Sequence, residues 1–365
     1  NPLLTFRCVS KSWLSLISSG EFIKIHLNLS ANNENTQHML FSEELNFGDK
    51  WIFKDFPLTS LFNDSVTHAL DLDYPIENDT QCLYVLGSCN GLLFLSDEEN
   101  DFSLLWNPTI RKHKKLPFFT PRFKAYHFKY GFGFDELHDD YKVLGIFNCG
   151  FELPNKPLLL ECSFELLIPE PVSLWINCID GDSDDVEVKV YSLKSDSWNS
   201  IDNYGDTLSC GSGSFVDGML HWHTGRNIIS FDLANEKWDK MEKPSYEVGE
   251  TKLYLGKLGS DLCIFCDYNR THLRVWVMKE YGVKESWIKM FNIKYPNDQS
   301  HLHPLLFMSN KGEMLFLIQS RFMIYNSKDE LFRYLRLTNH EGNHGVEIYI
   351  ESLVFPFSQL MGQRI

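Results

Sequence analysis

The chain has 365 residues, of which 43% are apolar and 14% aromatic, and a formal charge of −15. That length supplies one large core or two smaller ones, and 28 Phe, 15 Tyr and 9 Trp favour strands over helices. The negative charge excludes a general nucleic-acid binder, which needs a basic face, and points to a cationic partner. Nine scattered cysteines fit reduced thiols in a cytoplasmic or nuclear setting better than a disulfide scaffold. No uninterrupted apolar run approaches the roughly 18 residues of a membrane span.

In chain order, Leu3, Phe6, Val9, Trp13, Leu16 and Ile17 recur at three- and four-residue spacing, which predicts one amphipathic helix over 2–17. Pro2 suits its first turn, "SSG" at 18–20 ends it, and Arg7 and Lys11 lie beside its apolar face. Beyond it the chain reads as short strands between turn residues. "HMLFSEE" at 38–44 and "KWIFKDFPL" at 50–58 are two such strands with no predecessor.

A repeat follows. Gly turns lead into apolar strands in "CNGLLFL" (89–95), "VDGMLHWH" (216–223), "LGSDLCIFC" (258–266) and "NKGEMLFLI" (310–318). Hairpins come next, with two aromatics seven residues apart, in "YSLKSDSW" (191–198), "FDLANEKW" (231–238) and "YNSKDELF" (325–332). "VWVMKEYGVKESW" (275–287) has a turn four residues longer, and "LWNPTIRKHKKLP" (105–117) puts His113 where the second aromatic falls. The leading aromatics Trp106, Tyr191, Phe231, Trp276 and Tyr325 are spaced by 85, 40, 45 and 49 residues. A 40–50-residue unit of four strands, with an early Gly turn and a late Trp, predicts a kelch-like β-propeller. One blade cannot bury both its faces alone, so neighbours must stack, with the late aromatics wedged between them.

The 85-residue gap holds one blade. Two strands come from 129–147 and two from 186–201, with 148–185 inserted between the second and third. Loops at that end emerge on one face and commonly carry specificity. The last strand, "VEIYIESLVF" at 346–355, has no successor. Pairing it with 38–44 and 50–58 makes a sixth blade from both chain ends and removes two exposed edges. The expectation is an all-β propeller of six blades, with seven as the alternative, behind a short α-helical stretch.

Little chemistry suggests catalysis, a cofactor or a metal. His221 and His223 share a strand face, as do His301 and His303, but no carboxylate spacing completes a site. Cys263 and Cys266, three apart in a strand, point to opposite faces and read as structural thiols. Acidic foci stand out at 96–101, 135–140 and 180–185. On the long insertion, Asp180, Asp182, Asp184 and Asp185 are the predicted contacts for a basic target.

"PLLTFRCVSKSWLSLISSGEFIKIHL" (2–27) resembles the second half of an F-box, the helical module that docks onto the adaptor Skp1 of a cullin–RING ubiquitin ligase. The resemblance implies that Leu4, Phe6, Arg7, Val9, Lys11 and Trp13 serve the adaptor contact. The first half of the module would lie upstream of residue 1, so the chain reads as a fragment, and adaptor binding needs that half. "GSCNGLLFL" (87–95), "LWNPTIRKHKKLP", "GFGFDELHDDYKVLGIF" (131–147) and "VEVKVYSLKSDSWNSI" (186–201) resemble the F-box-associated domain of plant F-box proteins. The domains implied are an F-box half at 1–30 and an F-box-associated propeller at 38–358. "MKEYGVKESWIK" (278–289) and "VEIYIESLVFP" (346–356) look most like the S-locus F-box proteins, which implies S-RNases, basic pistil ribonucleases, as targets. Other implied readings are a receptor for a different target, such as a defence or development regulator, and a propeller binding module or enzyme outside any ligase. In every receptor reading the chain itself is non-catalytic.

Overall fold

The structure, a computed structural model, describes residues 2–45, 50–73, 75–76, 83–97, 102–118, 127–148, 186–205, 208, 212–225, 227–245, 251–268, 271–295, 302–318, 321–339 and 345–357. They form two compact units, the first made of 1–118, 193–196 and 335–365, the second of 119–192 and 197–334. The fold is all-β, with six four-stranded antiparallel sheets, the blades of a β-propeller.

The first unit opens with α1 (Pro2–Phe6), α2 (Lys11–Ile17) and α3 (Gly20–Ala31). The single helix expected over 2–17 is therefore broken. Ser10 is extended at φ −160° and its hydroxyl accepts the Trp13 amide at 3.2 Å, an N-cap that starts a new helix in mid-stripe. Ser19 does the same for α3 by accepting the Phe22 amide, so the "SSG" segment separates two helices rather than ending the helical stretch.

Blade 1 is built from both ends of the chain, as expected. Its strands are Gln37–Leu45, Lys50–Pro57 and Leu70–Leu72, joined by Gly345–Ile350, with His38 opposite Tyr349 and Met39 opposite Ile348. Tyr349 Oη and His38 Nδ1 both reach the buried Asp55 carboxylate, at 3.1 and 2.8 Å, so three strands share one polar clasp. Blade 2 comprises Tyr84–Cys89, Leu92–Asp97, Phe102–Asn107 and Lys112–Lys115. Its first hairpin turns through Asn90 and Gly91, both at positive φ. A Cβ on Gly91 would come within 2.6 Å of the Ile350 carbonyl, so only glycine lets the closing strand pass this close.

The second unit holds four blades. Blade 3 (His127–Asp135, Asp140–Asn148, Val186–Ser192, Ser197–Ile201) places 149–185 between its second and third strands, and Asn148 lies opposite Val186. Blades 4, 5 and 6 follow as Ser214–Glu242, Thr251–Lys294 and Leu302–Tyr334.

The seven-residue spacing has a direct geometric meaning. Tyr191 faces Trp198, Phe231 faces Trp238 and Tyr325 faces Phe332, with ring centroids 5.4, 4.8 and 5.0 Å apart. Such cross-strand aromatic pairs add about 0.5–1 kcal/mol each beyond the area they bury. Blade 5 differs: a bulge at Val275/Trp276 places Trp276 opposite Lys289 and Trp287 opposite Met278. The late tryptophans do bridge blades. Trp238 Nε1 donates to the Asp202 carbonyl at 2.9 Å, and Trp287 Nε1 to that of Glu242 at 3.2 Å, each at the end of the preceding blade's outer strand.

Candidate functional site

The helices present an apolar face to solvent. Phe6 is 42% exposed, Val9 64% and Trp13 46%, and Leu14 and Leu16 are exposed beside them. Phe6 and Trp13 come together across the α1–α2 break, their ring centroids 5.5 Å apart. Ile17 and Ile23 point the other way and are buried. Five exposed apolar side chains gathered on α1, α2 and the turn between them form the kind of patch that commonly serves as a protein contact. Ile25 and Leu29, four apart on α3, extend it.

Among the residues predicted for adaptor contact, Phe6, Val9 and Trp13 share this exposed apolar character, and Lys11 is exposed at the start of α2. Arg7 has another job. Its guanidinium donates to Ser18 Oγ at 3.2 Å and lies over the Phe355 ring, 5.2 Å from its centroid, tying the helices to the C-terminal segment. The Leu4 side chain lies outside the described residues.

That C-terminal segment is held by a residue the sequence reading did not single out. Asn107, fully buried, donates from Nδ2 to the Ser352 carbonyl (3.1 Å), Ser352 Oγ (3.0 Å) and the Val354 carbonyl (2.8 Å). Its Oδ1 accepts the amides of Thr109 and Ile110. The available signal was an Asn–Pro at a turn start, where an Asn side chain commonly caps the backbone two residues on. Glu351 adds a bond from its amide to the Thr36 carbonyl, just past α3.

On the target side, Asp180, Asp182, Asp184 and Asp185 lie outside the described residues. The acidic focus at 135–140 lies within the described residues. It is the hairpin at the opposite end of the strand Asp140–Asn148 from the insertion. Two of its carboxylates are structural: Asp135 is buried 3.1 Å from Lys142 Nζ and 2.8 Å from His138 Nδ1, and Asp140 is buried and accepts from Ser192 Oγ. Glu136 and Asp139 stay exposed. Two of the carboxylates of this run are therefore turned inside, Asp135 by its pairing with Lys142 and Asp140 by its bond from Ser192.

The residues weighed for chemistry have structural partners. His221 is buried, and burial pushes it down to about 4, a neutral ring. Its Nδ1 lies 3.0 Å from the Ser214 carbonyl and its Nε2 2.6 Å from Tyr281 Oη. Cys263 packs with Phe316 and Met323, and Cys266 with Ile228 and Leu262, on opposite faces of blade 5 as expected. Burial pushes both thiols up to about 12. Among the described residues no group of three or more His, Cys, Asp or Glu is arranged to hold a metal ion.

Four-stranded blades behind a helical module with an exposed apolar face make a scaffold suited to holding other proteins. Residues 57–355 match the F-box associated β-propeller domain, and the chain belongs to that family. It is similar to F-box protein CPR1 of Arabidopsis thaliana, 26% identical across 96% of this chain and 84% of that protein. An F-box/kelch-repeat protein of the same plant is also 26% identical, across 97% of this chain and 91% of its own.

Proposed function

We propose that the chain is the target-recognising subunit of a Skp1–cullin–F-box ubiquitin ligase. The observation that carries this reading is the exposed apolar face around Phe6, Val9 and Trp13, set at the head of an F-box-associated propeller. In a complete F-box those helices hold the adaptor, while the propeller holds the protein to be ubiquitinated, and the chain contributes no catalytic group. Such a complex works in the cytoplasm or nucleus. Among the described residues no helix is long and apolar enough to cross a membrane.

For the target, a charge of −15 suits a basic protein, and S-RNases satisfy that requirement and match the S-locus resemblance of 278–289 and 346–356. The family match and the relatives support the receptor reading in general; the S-RNase rests on charge and those two strings. The test is ubiquitin transfer in a reconstituted complex, with an S-RNase and an unrelated basic protein as substrates. Selective modification of the S-RNase, with association slowed by salt and by Asp182→Asn/Asp184→Asn/Asp185→Asn, is the expected result. Transfer to neither substrate, or association indifferent to both salt and those substitutions, contradicts it.

A further inference from the structure

His38 lies between two carboxylates that come from different parts of blade 1. Its Nδ1 is 2.8 Å from Asp55 Oδ2 on the strand Lys50–Pro57. Its Nε2 is 3.7 Å from Glu351 Oε1, just past the closing strand Gly345–Ile350. The ring is 13% exposed and Asp55 6%, so salt and solvent screen the inner pair little. Asp55 Oδ1 also accepts from Tyr349 Oη at 3.1 Å, and Tyr349 packs against the imidazole with ring centroids 5.5 Å apart.

A neutral imidazole carries one N–H. Donated to Asp55, it leaves the Nε2 lone pair facing the Glu351 carboxylate, two negative ends together. The imidazolium carries an N–H on both nitrogens and is drawn to both acids at once. The geometry therefore selects the charged ring. Burial works against that charge, but the bond and charge of Asp55 and the charge of Glu351 outweigh it and raise the ring above its ordinary 6.5. The α-amino group opposes them and is the smallest of these influences. Tyr349 is kept protonated by burial and by the same two carboxylates, so it adds no charge. His26 of α3 also feels Glu351, but burial outweighs it and lowers that ring, which leaves His38 as the cation Glu351 meets.

Glu351 gives the contact its reach. Its amide donates to the Thr36 carbonyl at 2.8 Å, just past α3. The residues after it run to Ser352 and Val354, bound by Asn107, and to Phe355 beneath the Arg7 guanidinium. One imidazole thus joins the second strand of blade 1 to the point where the last strand passes towards the helices.

We propose that His38 is a proton-operated latch on the composite blade. Charged, it ties Asp55 to Glu351 and holds the closing strand and the segment after it; on losing its proton it releases Glu351. The folded ring keeps its proton to higher pH than the unfolded chain does. The latch therefore contributes fully below about pH 6.5, and its contribution is lost as pH rises through the folded value. His221 and His223, in the second unit, run in the opposite sense, so the latch has to be read locally. It is independent of which adaptor or target the chain holds.

The test is NMR titration of the histidine rings in the full chain, with hydrogen exchange at 346–351 corrected for intrinsic rates at pH 6, 7 and 8. His38 is expected to titrate above 6.5, and Glu351→Gln to lower its midpoint by about half a unit or more. Protection of 346–351 should fall about threefold or more from pH 6 to 8 in the wild type and clearly less in the variant. Glu351 is 30% exposed and keeps its amide bond to Thr36 as glutamine, so the variant folds, and the wild-type titration stands without it. A His38 midpoint at or below 6.5, a midpoint unmoved by Glu351→Gln, or protection indifferent to pH in the wild type would each overturn the proposal.

Discussion

Tyr281 places its hydroxyl 2.6 Å from Nε2 of His221, the rings edge to face with centroids 5.6 Å apart. Tyr281 comes from the turn of blade 5 that is four residues longer than its counterparts, and His221 sits in blade 4. The extra length carries a phenol across to the neighbouring blade. With Nδ1 donating to the Ser214 carbonyl, Nε2 is left to accept from the tyrosine. Burial is what holds the histidine neutral in this pair.

Stability should therefore fall in mild acid. The His221 pKa is depressed from 6.5 to about 4, so between those values the unfolded chain binds the proton that the folded one refuses. Stability is complete above about pH 6.5 and drains as pH falls towards 4, by at most about 3 kcal/mol for this group. His223, depressed to about 4 as well, adds to the same window. Urea unfolding at pH 7, 6 and 5 measures the slope. Replacing both partners, His221→Phe with Tyr281→Phe, should roughly halve it, whereas Tyr281→Phe alone costs about 1–3 kcal/mol at pH 7 by leaving Nε2 unpaired in the interior.

Asn107 should be intolerant of change. Removing its amide leaves the carbonyls of Ser352 and Val354 and the amides of Thr109 and Ile110 without their partner. Asn107→Ala is expected to cost about 2–4 kcal/mol, and Asn107→Asp similarly, since a carboxylate would face two carbonyl oxygens. Hydrogen exchange at 351–355 should accelerate in both variants. Unchanged protection there would show that the segment is held by other contacts.

These two sites show what a single sequence does and does not display. Facing pairs such as Phe231 and Trp238 are visible because a short hairpin fixes their register, and the register appears as a constant spacing. The composite blade was legible because unpaired strands at both ends had to find partners. Asn107 was not, because its partners are some 245 residues away and no local pattern reports them. The helix over 2–17 was misread because its apolar stripe runs unbroken through a serine that caps the next helix. The burial of Asp135 within the acidic run at 135–140 was not legible because the lysine that draws it inward, Lys142, sits on the next strand.

Deleting 346–365 should destabilise the first unit as a whole. It removes the strand paired with Gln37–Leu45 and also Ser352, Val354 and Phe355, the partners of Asn107 and Arg7. Calorimetry should show loss of the cooperative transition for that unit rather than a small shift, and an intact transition would mean that the edge strand stands without its partner.

The most direct measurement is the affinity of a Skp1 adaptor for this chain fused behind the N-terminal half of an F-box, compared with the same fusion carrying Phe6→Ser and Trp13→Ser. Both side chains are exposed, at 42% and 46%, so the double variant should fold as the parent does. The account predicts tight binding by the parent and a loss of roughly a hundredfold in the variant, about 3 kcal/mol for two aromatic anchors. Equal affinity of the two fusions, or no binding by the parent, would contradict it.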